Sequence, residues 1–221
     1  MSFFSSVVSA VSSAILLVSN KVGIISNFAM DIAPKIAKHL GTVGLVIQAI
    51  ATIVNIFRPN EKVEEIGDRA LQASESGILV ENFESFDEYL DSIRSFELNS
   101  EKSNSYSFEA KSIAGIGIAC QGIEDKFQLQ SGTMGAMSVL IASNSNYFNS
   151  ERVSNWIETG TDIAGIVSYF DKKLSAGESV DVIKEIVKAE NNINDKTDQE
   201  TYTEILKTKD DLYKNIEKNN D

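Results

Sequence analysis

Few residues of this sequence could carry out catalysis or bind a metal. Among its 221 residues there is one cysteine, Cys120, and one histidine, His39. A Cys/His or Ser/His nucleophile needs a base beside it, and a zinc site needs a cluster of ligands. Cys120 has apolar neighbours, which favours a buried, inert thiol, and His39 lies at the start of a long apolar stretch. We therefore predict no catalytic residues, no cofactor and no metal, and that the protein is not an enzyme.

Two other patterns resemble functional motifs but lack essential parts. The acidic pair Glu84/Glu88 has helical spacing, but it lies on a face predicted to be solvated rather than in a site for acid–base chemistry. The motif Gly115-x-Gly117 has no third glycine at position 120, and no Gly-Lys-Ser/Thr follows it, so it does not fit a phosphate-binding loop. Close packing of helices explains these glycines better.

Charge is divided unevenly along the chain. The formal net charge is −12, yet residues 1–58 contain four Lys/Arg and one Asp, against sixteen Lys/Arg and thirty-one Asp/Glu in residues 59–221. An acidic body repels phosphates, and no basic patch with interleaved aromatic residues offsets this repulsion. We therefore predict that the protein does not bind nucleic acid.

The cysteine content and the N-terminus bear on localisation. A single cysteine excludes an internal disulfide framework. The N-terminus lacks a positively charged start, and its apolar run is interrupted by serines, so we expect no cleavable signal peptide. Secretion would then require a dedicated machine or lysis, with membrane association at the target.

The first 25 residues have the spacing of an amphipathic helix. Apolar residues recur at alternating spacings of four and three residues, which predicts an apolar seam; this seam comprises Phe4, Val8, Val11, Ile15, Val18, Val22 and Ile25. Serines, including Ser5, Ser9 and Ser12, follow the same rhythm on a second stripe. Small residues at this spacing allow two helices to approach closely, although in a soluble protein they can also form a hydrated face.

The stretch Leu40–Phe57 has 18 residues and no formal charge. As a helix it would span roughly 27 Å, close to the ~30 Å hydrocarbon core of a bilayer. Gln48, Thr52 and Asn55 share one face, which indicates a helix with a polar side rather than one surrounded by lipid. We predict that this helix and the first form a hairpin joined by a turn at Asn27–Lys38.

The remaining sequence predicts further helices and no confident strand. We expect helices over Glu61–Ser76, Asn82–Leu98, Phe108–Leu129, Thr133–Ala142, Asn155–Leu174, Ser179–Glu190 and Thr201–Asp221, with a polar loop at Asn99–Ser107. The predicted fold is all-α, a single bundle of seven or eight helices with an N-terminal hydrophobic helical hairpin. Its segments are the hairpin at 1–58, an acidic amphipathic body at 59–200, and a charged terminal helix at 201–221 that frays when alone.

Two functions fit this organisation. In the first, the protein is a membrane-active effector or toxin whose N-terminal hairpin binds or enters a lipid bilayer, a general plan that resembles pore-forming helical toxins. In the alternative, it is a soluble, non-enzymatic interaction protein of a bacterial or phage assembly, using the same helices for homo-oligomerisation or a protein partner. The predicted contact residues are Phe3, Phe4, Val8, Val11, Ile15, Val18, Leu45, Val46, Ile50, Ile53, Val54 and Phe57. The predicted polar stripe comprises Ser5, Ser9, Ser12, Gln48, Thr52 and Asn55.

Overall fold

The computed structural model describes the backbone of residues 3–22, 25 and 27–218, and the side chains of residues 12–22, 25 and 27–214. This part of the chain forms eleven helices and contains no strand, so the all-α prediction is confirmed. The predicted number of seven or eight helices is not confirmed. The helices are α1 Phe3–Lys21, α2 Phe28–Ile53, α3 Val63–Glu75, α4 Phe86–Ser95, α5 Ser100–Ser105, α6 Phe108–Lys126, α7 Thr133–Ser143, α8 Ser150–Glu158, α9 Ile163–Phe170, α10 Ala176–Glu190 and α11 Asp198–Lys218.

Helix α6 lies at the centre of the fold. Every residue from Ala110 to Glu124 is buried except Lys111 and Gln121, which are half-buried. A helix that is apolar on all sides must be enclosed by other elements, and α1, α2, α3 and α7 pack around this one. The two apolar N-terminal helices therefore both contribute to the wall around α6.

Glycines allow α3 and α6 to cross in close contact. A Cβ atom at Gly115 would overlap the backbone carbonyl of Val63, and one at Gly67 would overlap the carbonyl of Lys111. Only glycine permits this approach of two backbones. The interpretation of Gly115 as a helix-packing residue is confirmed.

Helix α2 begins earlier than the sequence suggests. The predicted turn at Asn27–Lys38 is helical, with a π-helical turn at Phe28–Ile32, an α-helical turn at Ala33–Ile36 and a 3-10 turn at Ala37–His39 before the regular helix Leu40–Ile53. Pro34 is tolerated because it lies in the first turn of its segment, where no intrahelical donor is required. The predicted hairpin of two paired helices is not observed in that form. Helix α1 packs on α6 and the first half of α2, whereas Leu40–Ile53 packs mainly on α3, α6, α7 and α8.

Two other predicted boundaries are wrong for local reasons. The single helix expected over Asn155–Leu174 is interrupted, because Gly160 adopts a left-handed φ of +70° and Asp162 then caps a new helix. The loop expected at Asn99–Ser107 contains the short helix α5, which starts because the Asn99 side chain accepts a hydrogen bond from the backbone N–H of Lys102.

A buried ion pair holds the last helices against the body. The Nε atom of Arg152 lies 2.7 Å from the Oε1 atom of Glu190, and both side chains are buried. Arg152 also pairs with Glu204 of α11 at 3.4 Å. The hydrophobic core is continuous from Ala14 in α1 to Leu212 in α11.

Candidate functional site

Part of α1 can be compared with the predicted contact surface. The predicted contact residues Phe3, Phe4, Val8 and Val11 and the polar-stripe residues Ser5 and Ser9 lie outside the described side chains. Further along, Val18 is fully buried and Ile15 is half-buried, whereas Ser12 is exposed and Leu16 is 60% exposed. In this part of the helix Ser12 and Leu16 therefore lie on the solvent-facing side, and Ser19 is half-buried.

One side of α2 belongs to the protein core along its whole length. Buried residues recur at alternating spacings of four and three, through the π-helical and 3-10 turns as well as the regular helix; they are Ala29, Ala33, Ile36, Leu40, Val43, Ile47, Ile50 and Val54. The predicted contact residues Ile50, Val54 and Phe57 are therefore buried inside this fold, and Val46 is half-buried. We call this stripe of eight residues the α2 inner face.

From Leu40 onward, the opposite side of α2 is exposed and uncharged. Leu45 is 68% exposed and Ile53 is 44% exposed, and Gly41 and Thr42 are also exposed. We call these four residues the α2 outer face. A surface helix of a soluble protein ordinarily carries charged residues on its solvent side. Here no formal charge occurs on either side from Leu40 to Phe57.

The polar residues of α2 have structural partners. The Oε1 atom of Gln48 accepts a hydrogen bond from the backbone N–H of Val63 at 3.1 Å, which satisfies a donor at the start of α3. The hydroxyl of Thr52 donates to the carbonyl of Gln48 at 2.9 Å, within its own helix. Asn55 has a φ of +57° just after the helix, a conformation that asparagine tolerates better than most residues. Gln48 therefore connects α2 to α3 and Asn55 ends the helix, whereas Thr52 is bonded within its own helix.

Cationic side chains from the body hold the C-terminal end of α2. The Nζ atom of Lys126 donates to the carbonyl of Val54 at 2.8 Å, and Nη2 of Arg94 donates to the carbonyl of Ile56 at 2.8 Å. Positive charges near helix C-terminal carbonyls are stabilising. Arg94 is in turn held by Glu61, whose Oε1 atom lies 2.7 Å from Nε of Arg94.

The Arg94–Glu61 pair is sensitive to acid. Partial burial by itself raises the pKa of Glu61, but the hydrogen bonds from Arg94 and from the backbone of Arg58 outweigh it, so the pKa lies below its ordinary value of 4.5.

At the other end of the N-terminal region, Lys21 of α1 forms an ion pair with Glu75 of α3. Ion pairs and backbone hydrogen bonds thus fasten both N-terminal helices to the body.

A cavity of about 150 Å³ lies between the start of α2 and the end of α6. Its lining includes Phe28, Asp31, Ile32, Cys120, Gln121, Glu124 and Gly132. Buried Glu124 accepts hydrogen bonds from the backbone N–H groups of Gly132 at 3.0 Å and Met134 at 2.7 Å, and so caps the start of α7. Burial raises the pKa of Glu124, although these hydrogen bonds act in the opposite direction.

The chemistry available in this cavity is limited. Cys120 is buried as expected, and burial, with a contribution from the charge of Glu124, raises the pKa of its thiol. A thiol held in its protonated form is a poor nucleophile and a poor metal ligand. In the described residues no group of three His, Cys, Asp or Glu side chains is placed to hold a metal ion.

Sequence reasoning missed the roles of Glu124 and Lys126. Both belong to the short charged run that ends α6, between two apolar segments. The only signal in the sequence that these residues have a structural role was this position between apolar segments. Their partners lie on α7 and α2, so the signal does not identify what they bind.

Length and composition single out one helix in the described part of the chain. Phe28–Ile53, with 26 residues, is long and apolar enough to cross a membrane, and 39% of its most apolar window is buried inside the protein. A core helix of a soluble protein can meet the same criterion. Comparisons of the chain with models of protein families, with curated proteins and with solved structures gave no match.

Proposed function

We propose that this chain is a membrane-active helical protein that binds a lipid bilayer through its N-terminal helices and inserts α2. The observation that carries this proposal is the absence of charge on both sides of the helix from Leu40 to Phe57, although one of those sides is exposed. Solubility alone would favour charged residues at Leu45 and Ile53. A bilayer favours the residues that are present.

Binding begins at the α2 outer face, because this face is accessible while the body stays folded. Leu45 is the most exposed of the large apolar side chains in the described part of the chain. Its transfer from water to the apolar boundary of a bilayer is favourable, by about 25 cal/mol per Å² of apolar area removed from water. No unfolding is needed for this first contact.

Insertion requires α2 to leave the body. The α2 inner face, now packed in the core, would then contact lipid, and no charge from Leu40 to Phe57 would have to enter the hydrocarbon. Few polar attachments oppose this step. Among the described residues, these attachments are the hydrogen bonds of Gln48 to Val63, Lys126 to Val54 and Arg94 to Ile56.

The experiment compares dye release from lipid vesicles by the full-length protein and two point variants. Deleting residues 1–57 would remove core residues as well as the proposed site, so point variants are required. Leu45→Asp places a charge on the α2 outer face, which costs at least ~2.5 kcal/mol at the centre of a bilayer. Val180→Asp is the matched control, because Val180 is 49% exposed on α10, a helix that packs with α8, α9 and α11.

We expect dye release by the wild-type protein and by Val180→Asp, and strongly reduced release by Leu45→Asp. Assays between neutral pH and about pH 5 cover the range in which carboxylates begin to protonate. Absence of release by the wild-type protein throughout this range would rule out the proposal. Equal release by all three proteins would exclude the α2 outer face as the site.

A further inference from the structure

Positive charge is concentrated at one end of α2. Lys35, Lys38 and His39 are all exposed in the turns that precede the regular helix. Asp31 is the one acidic residue among residues 1–58, and the rest of the chain is strongly acidic. Lys35 and Lys38 therefore form a locally positive region on a protein whose net charge is negative.

The two lysines and Leu45 point to the same side of the molecule. The α2 inner face is continuous from Ala29 to Val54, so the exposed residues of this helix share the opposite side. A helix that lies in the plane of a membrane places apolar side chains at the acyl boundary and lysines at the level of the headgroups. Met30, which is 55% exposed, adds a second apolar side chain near the lysines.

We infer that the α2 outer face, together with Lys35 and Lys38, docks on an anionic lipid surface before α2 inserts. This inference rests on the proposed function and names the class of lipid. Charge complementarity supports it, because each lysine near an anionic leaflet strengthens binding roughly fivefold. Asp31 offsets part of this attraction.

The acidic body does not cancel the attraction at physiological ionic strength. Charges farther than about 8 Å from the lipid are largely screened. With its side chains α2 is itself about 10 Å across, and it lies between the lipid and the helices packed on its inner face. The charges on α2 therefore dominate the contact.

The test measures partitioning of the full-length protein onto vesicles of phosphatidylcholine alone and of phosphatidylcholine mixed with phosphatidylglycerol. The variant Lys35→Gln/Lys38→Gln removes the two charges beside the α2 outer face. The control Lys184→Gln/Lys188→Gln makes the same change in net charge on α10, where both lysines are exposed. Leu45→Asp serves as the variant that disrupts the apolar contact.

We expect the wild-type protein and the α10 control to prefer the anionic vesicles, and Lys35→Gln/Lys38→Gln to bind them roughly 30-fold more weakly. Added salt should weaken wild-type binding. If wild type binds both kinds of vesicle equally and only Leu45→Asp loses binding, the lipid class is wrong while the proposed function stands. If wild type binds neither kind, both fail.

Discussion

Leu45 and Ile47 are two positions apart on α2 and lie on opposite sides of it: Ile47 is fully buried, whereas Leu45 is 68% exposed. Both are large apolar residues in a tract without charge. Packing in the core around α6 explains why Ile47 is apolar. The same packing does not explain Leu45, which we attribute to the proposed membrane contact.

Charged substitutions at these two positions should therefore differ in their effect on folding. We expect Leu45→Asp to change the free energy of unfolding by no more than about 0.5 kcal/mol, because its site is solvated. Ile47→Asp should cost more than about 4 kcal/mol, because it buries an unpaired charge. Urea unfolding measures both values. A large decrease in the free energy of unfolding for Leu45→Asp would mean that the Leu45 side chain belongs to the core.

Gln48 should contribute to stability through its bond to Val63. We expect Gln48→Leu to lower the free energy of unfolding by about 1–3 kcal/mol, because a partly buried N–H group loses its acceptor. Thr52→Val is the control, since the Thr52 hydroxyl bonds only within its own helix, and it should remain within about 0.5 kcal/mol of wild type. If Gln48→Leu and Thr52→Val had the same free energy of unfolding, the hydrogen bond from Val63 to Gln48 would not be stabilising.

The contact between α3 and α6 should not tolerate a side chain at Gly115. We expect Gly115→Ala to destabilise the protein by more than about 3 kcal/mol, because the added methyl group meets the backbone at Val63 and forces the helices apart. Gly177→Ala in α10 is the control. No atom outside the local helix lies within 4 Å of its added Cβ, so the free energy of unfolding should stay within about 0.5 kcal/mol of wild type or rise slightly. Thermal or urea unfolding measures both variants. A gain in stability for both Gly115→Ala and Gly177→Ala would contradict this prediction.

Two buried or partly buried carboxylates should affect the pH dependence of stability with opposite signs. The raised pKa of Glu124 means that the folded state holds its proton more tightly than the unfolded state, so its contribution to stability falls as pH rises above 4.5. Glu124→Gln should therefore gain stability relative to wild type as pH increases through this range.

Glu61 provides the comparison for that measurement. Its pKa is lowered, so its stabilising contribution is present above pH 4.5 and is lost as pH falls. Glu61→Gln should be destabilised most at neutral pH and approach wild type in acid. Urea unfolding at several pH values distinguishes the two cases. If the stability of Glu124→Gln and of wild type changed with pH in parallel, the raised pKa of Glu124 would be disproved.

The parts of the fold that could be predicted are those set by local pattern. The uncharged tract Leu40–Phe57 predicted its helix, and Gly115 predicted a close helix crossing. The turn expected at Asn27–Lys38 was wrong because Asp31 and Pro34 are typical of turns, whereas contacts with α1 and α7 accompany the helical conformation that this segment adopts. Local composition does not report such contacts.

The candidate site was predictable only as a segment. The spacing of apolar residues in α2 does not reveal which side meets α6, so Leu45, Ile50 and Val54 were grouped although the fold separates them. The partners of Gln48 and Lys126 lie 15 and 72 residues away. Those pairings depend on tertiary packing, which the sequence pattern does not specify.

The central claim, that α2 leaves the body and enters the bilayer, can be tested by locking the helix in place. A Cβ atom at Gly44 would lie 3.5 Å from Cγ2 of Val63, so cysteines at these two positions would bring their side chains into contact, as a disulfide requires. The variant is Gly44→Cys/Val63→Cys, with each single substitution as a control and the bond verified by thiol titration. Native Cys120 is buried and does not compete.

Dye release from anionic vesicles is then compared for the oxidised and reduced forms of this variant. We predict that the oxidised protein binds the vesicles through its free outer face but releases no dye, and that reduction restores release to the level of the single-cysteine controls. Equal release by the oxidised and reduced forms would contradict the account.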